Sequence, residues 1–248
     1  MSSFLAAPSP KRIRKEIQNI CDSYSHPWDV LAELSQNSVD AILRWNLQNP
    51  GQTRDHFIKI EIDRRNRGVA FQDSGSGINP DIMPGLLAPN ETDKEDEEES
   101  VGKKGVGLKY AIFSSNLFRI ETASATGTYS GTIRNALSWR LSNDNDPAHL
   151  PNVEDETSAR RAITPPNTGT TIHLEGIDSL SNDIFTLSVE RLVYLLRTKT
   201  AIGDTRKKLR NVDLRIRVEL KVVDLEGRPS ATQVLFEYAF PEGSVETL

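Results

Sequence analysis

The stretch Glu33-Leu-Ser-Gln-Asn37-Ser-Val-Asp40-Ala41 decides how the rest of the chain is read. It sits in a run, 28–47, whose apolar residues Val30, Leu31, Leu34, Ala41, Ile42 and Trp45 recur at helical spacing, with Asn49-Pro50-Gly51 to end it. On such a helix Glu33, Asn37 and Asp40 stand at i, i+4 and i+7 and share one face, bordered by Gln36 and Arg44. An ordinary solvent-facing stripe gives the same pattern. A stripe that faces a cleft gives chemistry instead: a glutamate can polarise water for in-line attack, and an asparagine oxygen can supply one hard ligand to a magnesium ion.

Downstream, Phe57, Ile58, Ile60 and Ile62, then Val69 to Phe71, predict two strands joined by a polar turn at 64–68. They deliver the chain to Asp73-Ser-Gly75-Ser-Gly77. An aspartate between glycines after a strand is a common turn. It is also a group that can accept a hydrogen bond from the exocyclic amine of adenine, with glycines that let the base approach the backbone and Ile78 and Met83 as an apolar wall. A short helix is expected from Asn79-Pro80 through Leu87, followed by a loop to Gly102 with no apolar pattern. A loop of that length inside a compact domain reads as a lid, spanning about 78–104.

The third segment is Gly102-Lys103-Lys104-Gly105-Val106-Gly107-Leu108-Lys109. It has no Gly-Lys-Ser/Thr ending and follows no strand, so it is neither a P-loop nor a dinucleotide fingerprint. It offers flexible backbone running into the N-terminus of a helix, where free amides and the helix dipole favour phosphate oxygens, and Lys103, Lys104 or Lys109 can add charge. A plain glycine hinge before a helix is the competing reading. The three segments in this order and spacing suit a nucleotide pocket and point to ATP.

At this point the chain resembles the GHKL ATPases, which include gyrase-type topoisomerases, the ninety-kilodalton heat-shock chaperones, histidine kinases and MutL. The matching residues are Glu33-x-x-x-Asn37-x-x-Asp40-Ala41, Asp73-x-Gly75-x-Gly77, Gly102-x-x-Gly105-x-Gly107 and the later Gly169-Thr170-Thr171, within about 28–176. The resemblance implies an α/β fold, a two-layer sandwich of helices on a mixed, mostly antiparallel sheet, with ATP and Mg2+ bound on the helix side under the lid. It implies Glu33 as general base, Asn37 as magnesium ligand, Asp73 as adenine reader, residues 102–107 as phosphate wrap, and Thr170 or Thr171 as a support for Asp73. It further implies an ATPase whose lid closure drives homodimerisation or docking onto a partner subunit. A non-hydrolysing switch and a DNA-processing machine are the alternatives. Histidine kinases of this type lack a glutamate at the Glu33 position and carry a phosphoacceptor histidine on a preceding helix. Here only His26 precedes the motif, at an expected helix end, so phosphotransfer is disfavoured. Lys199 is the nearest candidate for a lysine reaching the terminal phosphate.

The remaining pattern fills in the architecture. Residues 1–27 predict a short N-terminal helical segment with Ile13, Ile17 and Ile20 on one side, 28–200 the ATP-binding domain, and 201–248 a C-terminal strand pair at the start of a transducer-like region. Between them, 117–122 and 128–141 read as strands, 143–166 as a polar excursion, 169–175 as a β-branched strand and 184–198 as a helix. With 37% hydrophobic and 26% charged residues the composition is that of a folded globular protein. No apolar run approaches the roughly 20 residues of a membrane span, and the expected location is cytoplasmic. The lone Cys21 reads as a buried, inert thiol. The net charge of -5 hides a run of seven acids between Glu91 and Glu99, and basic clusters at Lys11 to Lys15 and Arg206 to Arg217 offer either a solvated surface or a DNA-binding face.

Overall fold

The computed structural model of the chain describes residues 9–88, 105–157, 167–178, 184–205 and 214–240. Gly102, Lys103, Lys104, the acidic run and the basic residues 206–210 lie outside the described residues. Two helices open the chain, α1 at Pro10–Asp22 and α2 at Asp29–Gln48. Ser9 caps α1 through its side chain, with Pro10 in the first turn where no amide partner is needed. The strands β1 (His56–Asp63) and β2 (Gly68–Asp73) follow as expected, then a 3-10 turn at Pro80–Ile82 and the short α3 (Met83–Leu87). Next come α4 (Val106–Phe113), β3 (Leu117–Ser124), β4 (Gly127–Arg134), α5 (Ala136–Leu141), β5 (Val153–Asp155), β6 (Gly169–Glu175), α6 (Val189–Lys199), β7 (Ile216–Val223) and β8 (Pro229–Val234).

The eight strands make one sheet in the order β5-β4-β3-β6-β2-β1-β7-β8. All neighbours are antiparallel except β1 and β7, which run parallel with Ile60 opposite Leu220. The fold is the mixed, mostly antiparallel α/β sandwich that the resemblance implied. Alternation sets the layers: Ile58, Ile60 and Ile62 of β1 are buried, while Lys59 is exposed and Glu61 is half-buried. Against the buried face pack Leu31, Leu34 and Ile42 of α2 and Ala111 and Ile112 of α4, each at most 1% exposed. Burying each large aliphatic side chain stabilises by about 1.5–3 kcal/mol relative to exposure, so these two helices are anchored along their length. From Gly107 to Phe113 every residue of α4 is buried, because the helix also touches α1 and α2.

Three elements depart from the sequence reading. The expected strand 128–141 ends at Arg134, and Ala136–Leu141 is helix α5. Asn135 takes a left-handed backbone at φ 58°, its amide donates to the Asn116 carbonyl at 2.7 Å, and Ser138 donates amide and hydroxyl to Asn116 Oδ1. Residues 128–141 read as one extended segment in sequence; a tertiary anchor on Asn116 turns the chain after Arg134 instead. The excursion after Asn143 contains β5, an edge strand on β4. The helix expected from Ile184 begins at Val189, where the Ser188 hydroxyl accepts from the Arg191 amide, while Ile184 and Phe185 are buried ahead of it. Among the described residues no helix is long and apolar enough to cross a membrane.

Candidate nucleotide site

A cavity of about 530 Å³ opens between α2, the end of β2, the start of α4 and β6. Glu33, Asn37, Asp40 and Arg44 of α2 line it, as do Asp73, Gly77, Ile78, Gly105, Val106, Gly107, Leu108 and Thr170. Segments separated by up to about 140 residues of chain thus converge on one concavity. Its apolar wall is Leu34, Phe71, Ile78, Ile82, Leu86 and Ile172.

Several candidates stand elsewhere. Met83 is fully buried in the core and does not line the cavity; Ile82 and Leu86 on the adjoining turns do. Gly75 is wedged under α2, where a Cβ would meet the Ala41 Cβ at 2.5 Å. Lys109, 2% exposed, points into the protein, and Thr171 lies on the opposite face of β6 from Thr170. Lys199 closes α6 and does not line the cavity.

Asp73 ends β2 at 8% exposure. Its Oδ1 accepts from the Gly75 amide at 2.8 Å. Burial pushes its carboxyl up to about 7, against the opposing pull of the Gly75 and Thr170 amides, the Arg54 guanidinium and the Ser38 hydroxyl. The turn that follows is braced from several sides. The Ser76 amide donates to the Ala41 carbonyl, and Ser74 Oγ accepts from the Phe57 amide at 2.8 Å. Thr168 donates to the Gly75 carbonyl at 2.7 Å while Arg54 grips Thr168 at its hydroxyl and its carbonyl. Gly77 has φ 68°, and a Cβ there would overlap the Ala123 carbonyl. The Thr170 hydroxyl is bonded to Thr122 Oγ1, which in turn accepts from the Ile78 amide.

Glu33 is only partly buried, and burial moves its carboxyl above the usual carboxylate range; a hydrogen bond from Tyr24 opposes that rise and Asp29 adds to it. Its Oε1 accepts from the Tyr24 hydroxyl at 3.0 Å. Its other oxygen lies so close to Gly107 that a Cβ at that position would overlap it. Gly105, at φ 92°, is the residue before α4, and among the described residues nothing lies within 4 Å of where its Cβ would stand. The amides that start α4 have no helical partner and sit at the positive end of its dipole. Gln36 donates to Asp40 Oδ1 at 2.9 Å, holding that carboxylate along the wall.

A family model described as Histidine kinase-, DNA gyrase B-, and HSP90-like ATPase matches residues 24–170, more than half of the chain. The chain belongs to this family. It therefore carries an ATP-binding domain, and the matched span holds Glu33, Asp73 and the whole segment 102–107. No curated protein matches the chain.

Sequence reasoning missed Tyr24, Ser38 and Arg54. Tyr24 follows the end of α1 at Asp22, and its ring turns to the cavity. Nothing local marks Arg54 or Thr168, which meet only because β1 and β6 flank β2. On α1, Arg14 is turned inward, with its guanidinium 4.4 Å from the Trp139 ring, and Arg12 pairs with Glu16, so these two of the four basic residues there are engaged within the protein. Cys21 is buried and its thiol is pushed up by burial, in line with an inert group.

Proposed function

We propose that the chain binds ATP with magnesium in this cavity and hydrolyses it, Glu33 serving as the general base. The observation that carries the reading is the ordering of chemistry along one cavity. A buried, backbone-braced carboxylate stands beside an apolar wall, and a partly exposed carboxylate lies against the amino end of a helix. A volume of about 530 Å³ falls in the usual range for small-molecule sites. Among the described residues no cation is in direct contact with the buried Asp73 carboxyl, a costly arrangement that the amine of a purine base would offset.

In this reading Asp73 accepts from the adenine amine, while Phe71, Ile78, Ile82 and Ile172 flank the ring. The amides opening α4 take the charge of the phosphates. Glu33 accepts a proton from water as the water oxygen bonds to the terminal phosphorus and the bridging oxygen departs with ADP. Asn37 offers a neutral oxygen one turn beyond Glu33. Among the described residues no three His, Cys, Asp or Glu side chains group to hold a metal, which suits an ion held mainly by phosphate oxygens and water. Bound magnesium would neutralise charge on the phosphates. Closure over the nucleotide, and dimerisation or docking on a partner subunit, extend the reading and are supported by family membership.

Calorimetry with ATP and Mg2+, followed by steady-state phosphate release, tests it. Heat of binding and phosphate release that both require the nucleotide site are expected. No heat with adenine nucleotides would overturn the reading; binding without phosphate release would leave a nucleotide-sensing switch.

A further inference from the structure

Glu33 is the reacting carboxylate in the proposed function, and among the described residues it has one side-chain hydrogen bond, from Tyr24. Tyr24 lies in the connector between α1 and α2 and lines the cavity. Its ring is stacked on Tyr110 of α4, with centroids 3.8 Å apart and planes 15° from parallel. Tyr110 is itself 6% exposed, so the stack is rooted in the core. A hydroxyl fixed this way leaves Glu33 one orientation in which Oε1 is occupied and the other oxygen lies over Gly107.

We propose that Tyr24 is a positioning residue for Glu33, its hydroxyl holding the carboxylate at the amino end of α4 where an attacking water must be deprotonated. The inference rests on the reading of Glu33 as the base. It also gives α4 a route to that base, since the helix that would touch the phosphates carries at its second turn the ring on which Tyr24 rests. Among the described residues the titratable groups around Glu33 are Tyr24, Asp29 one turn earlier on α2, and Tyr110 through the stack. Asp29 disfavours the ionised carboxylate and the tyrosine hydroxyl favours it, so loss of the hydroxyl moves Glu33 toward its protonated form.

Tyr24→Phe keeps the ring and its stacking and removes only the hydroxyl. Steady-state ATP hydrolysis as a function of pH should then show kcat at pH 7 lowered about tenfold, KM for ATP within about twofold of wild type, and the acid limb of kcat moved up by about one pH unit. Carboxyl-13C glutamate labelling gives a readout that needs no turnover: the Glu33 resonance, identified by its loss in Glu33→Gln, should titrate at higher pH in Tyr24→Phe. An unchanged acid limb together with an unchanged Glu33 titration would overturn the proposal and leave Tyr24 a packing residue. Wild-type protein that binds ATP and releases no phosphate would defeat the hydrolytic reading alone, and the titration would still decide whether Tyr24 holds Glu33.

Discussion

Around Asp73 the cavity wall is held by α2, β1 and the segment before β6 at once, whereas among the described residues Glu33 is met by one tyrosine hydroxyl and the backbone at Gly107. The turn after β2 is wedged: Gly75 packs on Ala41, Ser74 is tied to Phe57, and Arg54 with Thr168 closes over Gly75. At Gly105, by contrast, no described residue lies within 4 Å of where a side chain would begin. Base recognition profits from a rigid, preorganised acceptor, because less freedom is then lost on binding. Phosphate chemistry profits from a wall that can tighten around its substrate. The difference matches the two tasks assigned to the two ends.

The largest effect expected is at the Glu33 end. Glu33→Gln should lower phosphate release by about 10²–10⁴-fold while ATP affinity, read by calorimetry, stays within a few fold. Near-normal turnover in that variant would remove the distinction between a binding end and a reacting end.

Next comes the buried acid. Asp73→Asn should weaken ATP binding about tenfold to a hundredfold, the cost of a hydrogen bond to a charged group. Because burial raises the Asp73 carboxyl from 3.8 to about 7, its neutral form is favoured in the folded, ligand-free protein. The stability it contributes is full below pH 3.8 and is lost as pH rises through about 7. The ionised form is the stronger acceptor for the adenine amine, so ATP affinity should rise between pH 6 and pH 8 in wild type and depend less on pH in Asp73→Asn. Thermal unfolding at pH 8 should show Asp73→Asn more stable than wild type without ATP. A steep pH dependence retained in the variant would assign the titration to another group.

A pair of alanine substitutions sharpens the contrast in packing. Gly77→Ala meets the Ala123 carbonyl and a left-handed backbone, and should cost about 3 kcal/mol in denaturant unfolding. Gly105→Ala meets only the backbone penalty, about 1–2 kcal/mol. Equal losses would mean that the two ends are held alike.

Much of the cavity's lining was legible in the sequence. Period and punctuation suffice for α2 and β2, and the helical face of Glu33, Asn37 and Asp40 does line the cavity. Met83 and Lys109 show where such reading fails: each sits within a turn of true lining residues, and a rotation of one position along a short helix carries a side chain from cavity to core. The misread strand after Arg134 failed for a related reason, since Leu137, Trp139 and Leu141 alternate in sequence while the anchor that coils them is Asn116, about twenty residues away. Tyr24 was hidden by a helix boundary, the least certain feature of any pattern.

What the sequence determined alone was local: which segments coil or extend, where glycine must stand, and which chemical groups three short motifs make available. Those follow from side-chain period and backbone sterics, which act over a few residues. Only the tertiary structure decided that β7 lies parallel beside β1, that Arg54 and Thr168 brace Gly75, and that Tyr24 meets Glu33. Such contacts join residues from 9 to 160 positions apart through shared burial, and no period in the chain encodes which buried face will find which partner.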